Sequence, residues 1–175
     1  MSYKKEFRHI TTFVFDVDGV FTDGGITILP DGEMLRTMNT KDGYAVKAAL
    51  HAGFRVAIIS GGTNEAVRLR LQQLGVGDVY LGAHQKGPVL TEYAEKHNIS
   101  YDEILFMGDD IPDIAAMNLA RMGCCPNDAV PEVLDAADYV SHKNGGKGCV
   151  RDVIEQVLKV QGKWGTLTNA RNDSK

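Results

Sequence analysis

Cysteine is scarce in this chain of 175 residues. There are three, two of them adjacent (Cys124 and Cys125), and none forms a metal-type pair spacing. So sparse and odd a set fits a reducing compartment better than a disulfide scaffold. No apolar run approaches membrane-spanning length. The opening Met1-Ser2-Tyr3-Lys4-Lys5-Glu6 carries charge, but no signal-peptide apolar core follows it. Positive charge is not in excess either, since Lys and Arg total 19 against 23 Asp and Glu, a net charge of -4. That balance argues against a nucleic-acid binder that works by neutralising phosphates. Internal repeats and interdomain linkers are absent. The expectation is a cytoplasmic domain that binds neither membrane nor nucleic acid.

The rest is ordinary globular usage, 43% hydrophobic and 24% charged, in a chain long enough to build one core. The organising stretch is Phe13-Val14-Phe15-Asp16-Val17-Asp18-Gly19-Val20. A short aromatic and β-branched run reads as a buried parallel strand. It ends in two carboxylates one residue apart, which would point the same way if the strand stayed extended. Next, Ile26–Leu29 and Glu33–Met38 flank a Pro30-Asp31-Gly32 turn and read as a β-hairpin, inserted over about 24–39. A helix is expected from Asp42 or Gly43, with Ala45, Val46, Ala49 and Leu50 as its stripe. Arg55–Ser60 reads as a strand, Asn64–Leu74 as a helix, and Val79–Leu81 as a strand. Lys86-Gly87-Pro88 opens another helix, and Glu103–Met107 is a strand running into Gly108-Asp109-Asp110. Shorter elements follow at Pro112–Ala120, Met122–Pro126, Pro131–Ala136 and Tyr139-Val140, then a last helix over Cys149–Gln161. The alternation predicts an α/β fold, a parallel sheet with helices on both faces, as a single domain over 1–161, with 162–175 as a flexible tail.

Successive strand ends offer Asp16 and Asp18, then Ser60, then Lys86, then Asp109, Asp110 and Asp113. Singly, each has a plain structural use. Ser60 could cap a helix, Lys86 could be a solvated charge, and Asp109 with Asp110 could favour a helix dipole. Together they fall on the rim where open α/β sheets place ligands. Carboxylates crowded in one cleft repel unless a cation is present, and hard oxygen donors suit Mg²⁺. A hydroxyl and a lysine beside them suit the oxygens of a transferring phosphoryl group.

Asp16-Val17-Asp18-Gly19, Ile59-Ser60-Gly61, Lys86 and Gly108-Asp109-Asp110-Ile111-Pro112-Asp113 resemble the four motifs of the haloacid dehalogenase (HAD) phosphatases. Within them, three longer stretches resemble the 3-deoxy-D-manno-octulosonate 8-phosphate (Kdo 8-phosphate) phosphatase family. These are residues 16–24, Asn39-Thr40-Lys41-Asp42-Gly43, and Gly145-Gly146-Lys147-Gly148-Cys149-Val150-Arg151-Asp152. The resemblance implies a Rossmann-like fold without a large cap domain, and a place in lipopolysaccharide synthesis. Asp16 would be the nucleophile that forms an aspartyl-phosphate, and Asp18 the acid and then the base. Mg²⁺ would be held by Asp16, the backbone carbonyl of Asp18, and Asp109. Ser60, Gly61 and Lys86 would hold the phosphoryl group, with Asp110 and Asp113 behind the metal ligands or acting through water. Sugar contacts carried over by position are Asp18, Asn39, Thr40, Lys41, Asp42, Gly43, Lys47 and Arg70. The family also implies a homotetramer in which hairpins pack together. Lys147, Arg151 and Trp164 of the glycine-rich stretch and tail could then reach a neighbour's site.

One residue departs from the family. After the hydroxyl and glycine of the second motif these enzymes carry arginine, whereas this chain has Gly62. A cation for a sugar acid's carboxylate is then missing unless Arg68, Arg70 or a tail residue supplies it. Nononate or neuraminate 9-phosphates and other phosphosugars stand as alternative substrates. A response-regulator receiver would need its phospho-accepting Asp where Leu81-Gly82-Ala83 stands. A catalytically silent domain would gain nothing from a cleft of unpaired acids.

Overall fold

The computed structural model describes residues 2–165. A six-stranded sheet forms its centre, all of its neighbouring strands pairing in parallel. The strands are β1 (Thr12–Phe15), β4 (Arg55–Ile59), β5 (Asp78–Tyr80), β6 (Ile104–Met107), β7 (Met122–Cys125) and β8 (Tyr139–Val140). Their order is β5-β4-β1-β6-β7-β8. The numbers β2 (Thr27–Ile28) and β3 (Met34–Leu35) belong to the hairpin, a separate antiparallel pair outside the sheet. The helices are α1 (Tyr3–Phe7), α2 (Thr40–His51), α3 (Glu65–Gln73), α4 (Lys86–His97), α5 (Ile114–Leu119), α6 (Pro131–Ala136) and α7 (Cys149–Val160).

Strand β1 is buried along its whole length, and its alternation divides the core into two layers. Phe13 and Phe15 join Val56, Ile58, Leu105 and Met107 beneath α2, α3 and α7. Val14 joins Ala57, Ile59, Ile104 and Phe106 under α4, α5 and α6, where Leu90, Tyr93, Met117 and Val133 close the layer. Because the next residue in phase with Val14 is Asp16, the first carboxylate leaves the strand on the α4 and α5 side. The nearest helix starts and strand ends, those of α4, β4 and β6, surround it. The crossovers lead to both sides of β1, so the cleft opens at the switch in strand order.

The structure moves several expected boundaries. Helix α2 begins at Thr40, ahead of the expected Asp42 or Gly43, because the Asn39 side chain accepts the Lys41 N–H at 2.9 Å and caps it. The hairpin strands shrink to two residues each, and their side chains stand exposed. The expected helix over Pro112–Ala120 splits into a 3-10 turn, Ile111–Asp113, and α5. Helix α1 was not anticipated. It is too short to show a period, and its Phe7 is held by tertiary contacts with Tyr139, ring centroids 5.7 Å apart. Trp164 sets its ring edge on to Tyr44, centroids 6.1 Å apart, and the Arg151 guanidinium lies 5.4 Å from the Trp164 ring. The rest of the expected tail, 166–175, lies outside the described residues.

Candidate active site

At the end of β1 the chain turns sharply. The Val20 and Phe21 N–H groups return to the Val17 carbonyl at 3.1 and 2.9 Å, so the strand does not stay extended through Asp18. The buried Thr22 hydroxyl accepts the N–H of Gly19 at 3.2 Å and of Gly24 at 3.1 Å, fixing this loop from within. Gly19 has φ of +84°, and a Cβ built there would fall 1.9 Å from Asp109 Oδ2, so no side chain fits without expelling that carboxylate.

Asp16 is 6% exposed. Its Oδ1 accepts the Val17 N–H at 2.6 Å, and its Oδ2 lies 2.8 Å from Lys86 Nζ. Lys86 opens α4 and is buried; its Nζ also donates to Asp113 Oδ1 at 2.5 Å. Asp113, fully buried, uses its other oxygen to accept the N–H groups of Asp109 and Asp110 at 3.0 and 3.2 Å. It therefore ties the lysine to the loop after β6 and sets where Asp109 stands. Ser60 directly follows β4, buried, and its hydroxyl accepts the Gly62 N–H at 3.3 Å.

Asp16, Ser60, Gly61, Lys86, Asp109, Asp110 and Asp113 line one cavity of about 340 Å³, together with Asp18. Burial pushes the Asp16 carboxyl up to about 6, with Asp113 adding repulsion and Lys86 opposing both. Burial, then Asp16, Asp113 and Asp110, lift Asp109 to about 7 against the pull of Lys86. Burial works against the Lys86 charge, but Asp16 and Asp113 outweigh it and hold the ammonium above the usual lysine range. A cleft in which acids are lifted by one another is short of positive charge. Oxygens of Asp16, Asp109 and Asp113 lie within 4.8 Å of one another, a hard-donor set that fits a small divalent cation. The Asp18 carboxylate is engaged by the hairpin: Arg36 Nε and Nη2 donate to its two oxygens at 2.7 and 3.2 Å.

Sequence reasoning missed Arg36, because nothing in a short hairpin says that its last cation folds back over the strand end. It also missed His84, which lines the cavity. The carried-over sugar contacts scatter. Thr40 and Arg70 line a second cavity of about 600 Å³ beside the hairpin, where Arg36 also lies. Asn39 and Lys41 line a third, with Lys147 and Arg151. Lys47 stands on α2, half-buried. Asp42 and Gly43 are buried in α2 and are not among the residues that line the catalytic cavity. Asp42 Oδ1 accepts the Arg151 backbone N–H at 2.8 Å, and its Oδ2 has no hydrogen-bond partner among the described residues. Burial there lifts its carboxyl to about 6, against the Arg151 N–H. Its role within the chain is to join α2 to the start of α7. The glycine-rich stretch also serves its own chain. Gly146 N–H donates to the Val20 carbonyl at 3.0 Å, and a Cβ at Gly145 would lie 1.9 Å from the Gly19 carbonyl oxygen. Gly145 and Gly146 thus buttress the loop that carries Asp18.

The haloacid dehalogenase-like hydrolase family model matches residues 63–154. The 3-deoxy-D-manno-octulosonate 8-phosphate phosphatase KdsC of Salmonella typhi is 36% identical over 156 residues, covering 89% of this chain and 83% of that one. The crystal structure of the Yersinia pestis 3-deoxy-D-manno-octulosonate 8-phosphate phosphatase superposes with a TM-score of 0.91 at 30% identity, over 98% of this chain and 91% of its own. The Moraxella catarrhalis phosphatase, solved with magnesium, phosphate and Kdo, gives 0.88 at 31% identity and 91% coverage of each chain. The chain belongs to the haloacid dehalogenase-like hydrolases, and within them to the family of the 3-deoxy-D-manno-octulosonate 8-phosphate phosphatases.

Proposed function

We propose that the chain hydrolyses the phosphate monoester of 3-deoxy-D-manno-octulosonate 8-phosphate to the free sugar acid and inorganic phosphate. The observation that carries this reading is the gathering of Asp16, Ser60, Lys86, Asp109 and Asp113 with Asp18 in one cleft at the end of the central strand.

An Asp16 oxygen attacks phosphorus as the bond from phosphorus to the sugar oxygen breaks, and Asp18 gives that oxygen its proton. The aspartyl-phosphate formed is then attacked by water, Asp18 takes the water's proton, and phosphate leaves with Asp16 restored. Lys86, Ser60 and the Gly61 loop hold the phosphoryl oxygens. Asp113 acts through Lys86 and the Asp109 loop rather than on the phosphate. Mg²⁺ is the cofactor; Asp16 and Asp109 would hold it with the Asp18 carbonyl, and when bound it neutralises charge on the phosphoryl group.

Because Gly62 stands where these enzymes carry arginine, the second reading of the substrate is a nononate or neuraminate 9-phosphate, with the chemistry unchanged. Phosphate release with Mg²⁺ from a panel of Kdo 8-phosphate, nine-carbon acid 9-phosphates and hexose phosphates separates the two. Preference for Kdo 8-phosphate is expected, with turnover abolished in Asp16→Asn. A fully active Asp16→Asn enzyme refutes the mechanism.

The assembly we propose is a homotetramer formed through the hairpins. In support, Ile26, Ile28, Met34 and Leu35 stand 41%, 68%, 45% and 45% exposed on one short insertion. No helix among the described residues is long and apolar enough to cross a membrane, and we place the enzyme in the cytoplasm, serving lipopolysaccharide synthesis.

A further inference from the structure

Lys86 is the one lysine or arginine among the described residues lining the catalytic cavity, and Asp16 and Asp113 both hold it. A substrate with a second anionic group besides its phosphate needs a second cation, and Arg36 is placed to be that cation. Its side chain is only 8% exposed although it springs from a solvated hairpin, and its guanidinium grips Asp18 with two N–H groups. It also lines the neighbouring 600 Å³ cavity with Thr40 and Arg70. It therefore stands at the partition between the phosphate end of the cleft and the room beside the hairpin.

Gly62 lies beside this fork. It is not among the glycines with positive φ, so its backbone suits any L residue. What glycine leaves there is space. A Cβ at position 62 would lie 3.6 Å from Arg36 Nη2 and 3.5 Å from Asp18 Oδ2, so a longer side chain would enter the volume that the guanidinium fills. Asp18, for its part, can face a leaving oxygen only after exchanging at least one arm of the fork. A carboxylate on the arriving substrate offers the guanidinium a partner of the same geometry.

We infer that Arg36 is the specificity-determining residue that receives the carboxylate of a phosphorylated sugar acid, exchanging Asp18 for the substrate as it binds, and that Gly62 is small to leave it room. The inference rests on the substrate class proposed above.

The test compares Kdo 8-phosphate with its methyl ester, which removes only the carboxylate charge. Wild-type kcat/KM is expected to favour the acid by about 10- to 100-fold, the value of a charge-assisted hydrogen-bond pair. Arg36→Ala should collapse that ratio towards one, chiefly through KM for the acid. Arg36→Lys should keep part of it, and Arg36→Ala with Gly62→Arg should restore most of it by supplying the fork from the opposite wall. If the alanine variant does not fold, Arg36→Gln keeps the stem and removes the charge, and the same ratio is read. An acid-to-ester ratio that survives in the charge-free variant, with kcat lowered equally on both substrates, overturns the inference and leaves Arg36 a positioning residue for Asp18. A wild-type enzyme that hydrolyses glucose 6-phosphate as well as Kdo 8-phosphate overturns the substrate reading itself.

Discussion

Lys86 is held by two carboxylates, and replacing it with methionine exposes what that arrangement contributes. The side chains of Lys86, Asp16 and Asp113 are 5%, 9% and 0% exposed, so solvent does little to screen them. Methionine fills much of the stem's volume, leaving the loss of charge as the main change. Removing one partner from a buried ionic cluster costs about 3–5 kcal/mol, because the remaining charges stay desolvated. For a chain of this size each kcal/mol lowers the melting temperature by about 2–4 °C, so Lys86→Met should melt about 6–20 °C lower in chelator at pH 8. Both proteins must be compared at one protomer concentration. Saturating Mg²⁺ should return a large part of the loss, since a cation then meets the same acids. Asp113→Asn in the Lys86→Met background should cost little more, giving a coupling of about 2 kcal/mol in the double-mutant cycle. A variant that melts within about 2 °C of the parent in chelator would refute the claim that the lysine holds this cluster together.

The same acids predict a pH dependence. Asp16 near 6 and Asp109 near 7 stand above their unfolded value of 3.8, so protons favour the folded state. Their contribution is complete below the unfolded value and is lost as pH rises through 6 to 7. Chelated enzyme should therefore lose stability across that interval in urea titrations, and Mg²⁺ should cancel the decline; a steady rise without metal contradicts the cluster's electrostatics. For the assembly, Ile28→Asp with Met34→Asp should reduce the mass measured by sedimentation without loss of helical signal, because charge on the hairpin blocks its apolar contacts. An unchanged mass would rule out tetramer formation through this element.

Much of the molecule was legible one residue at a time. The central strand shows in Phe13-Val14-Phe15 because a strand buried on both faces needs no alternation. Ser60, Lys86 and Asp109 could be placed at its rim because each follows its own apolar run or opens its own helix. Local chemistry is enough for that, since strand ends and helix starts are set by neighbours in sequence. Helix α2 shows the limit of such reading: Asn39 caps it two to three residues early, a choice made by one side-chain hydrogen bond.

What only the tertiary structure decided were partners distant in sequence. Asp42 carries a family motif, yet its carboxylate meets a backbone N–H of α7 rather than the cleft, because α2 and α7 pack together. Arg36 and Asp18 lie in the loops that follow β3 and β1, and no pattern within either announces the fork between them. Gly62 read as a missing cation in the sequence; in the fold it lies beside another cation, a Cβ there standing 3.6 Å from Arg36 Nη2. Spacing along the chain reports which side chains share a face of one element. Which charges meet across elements depends on how those elements pack, and that is settled only when the core is complete.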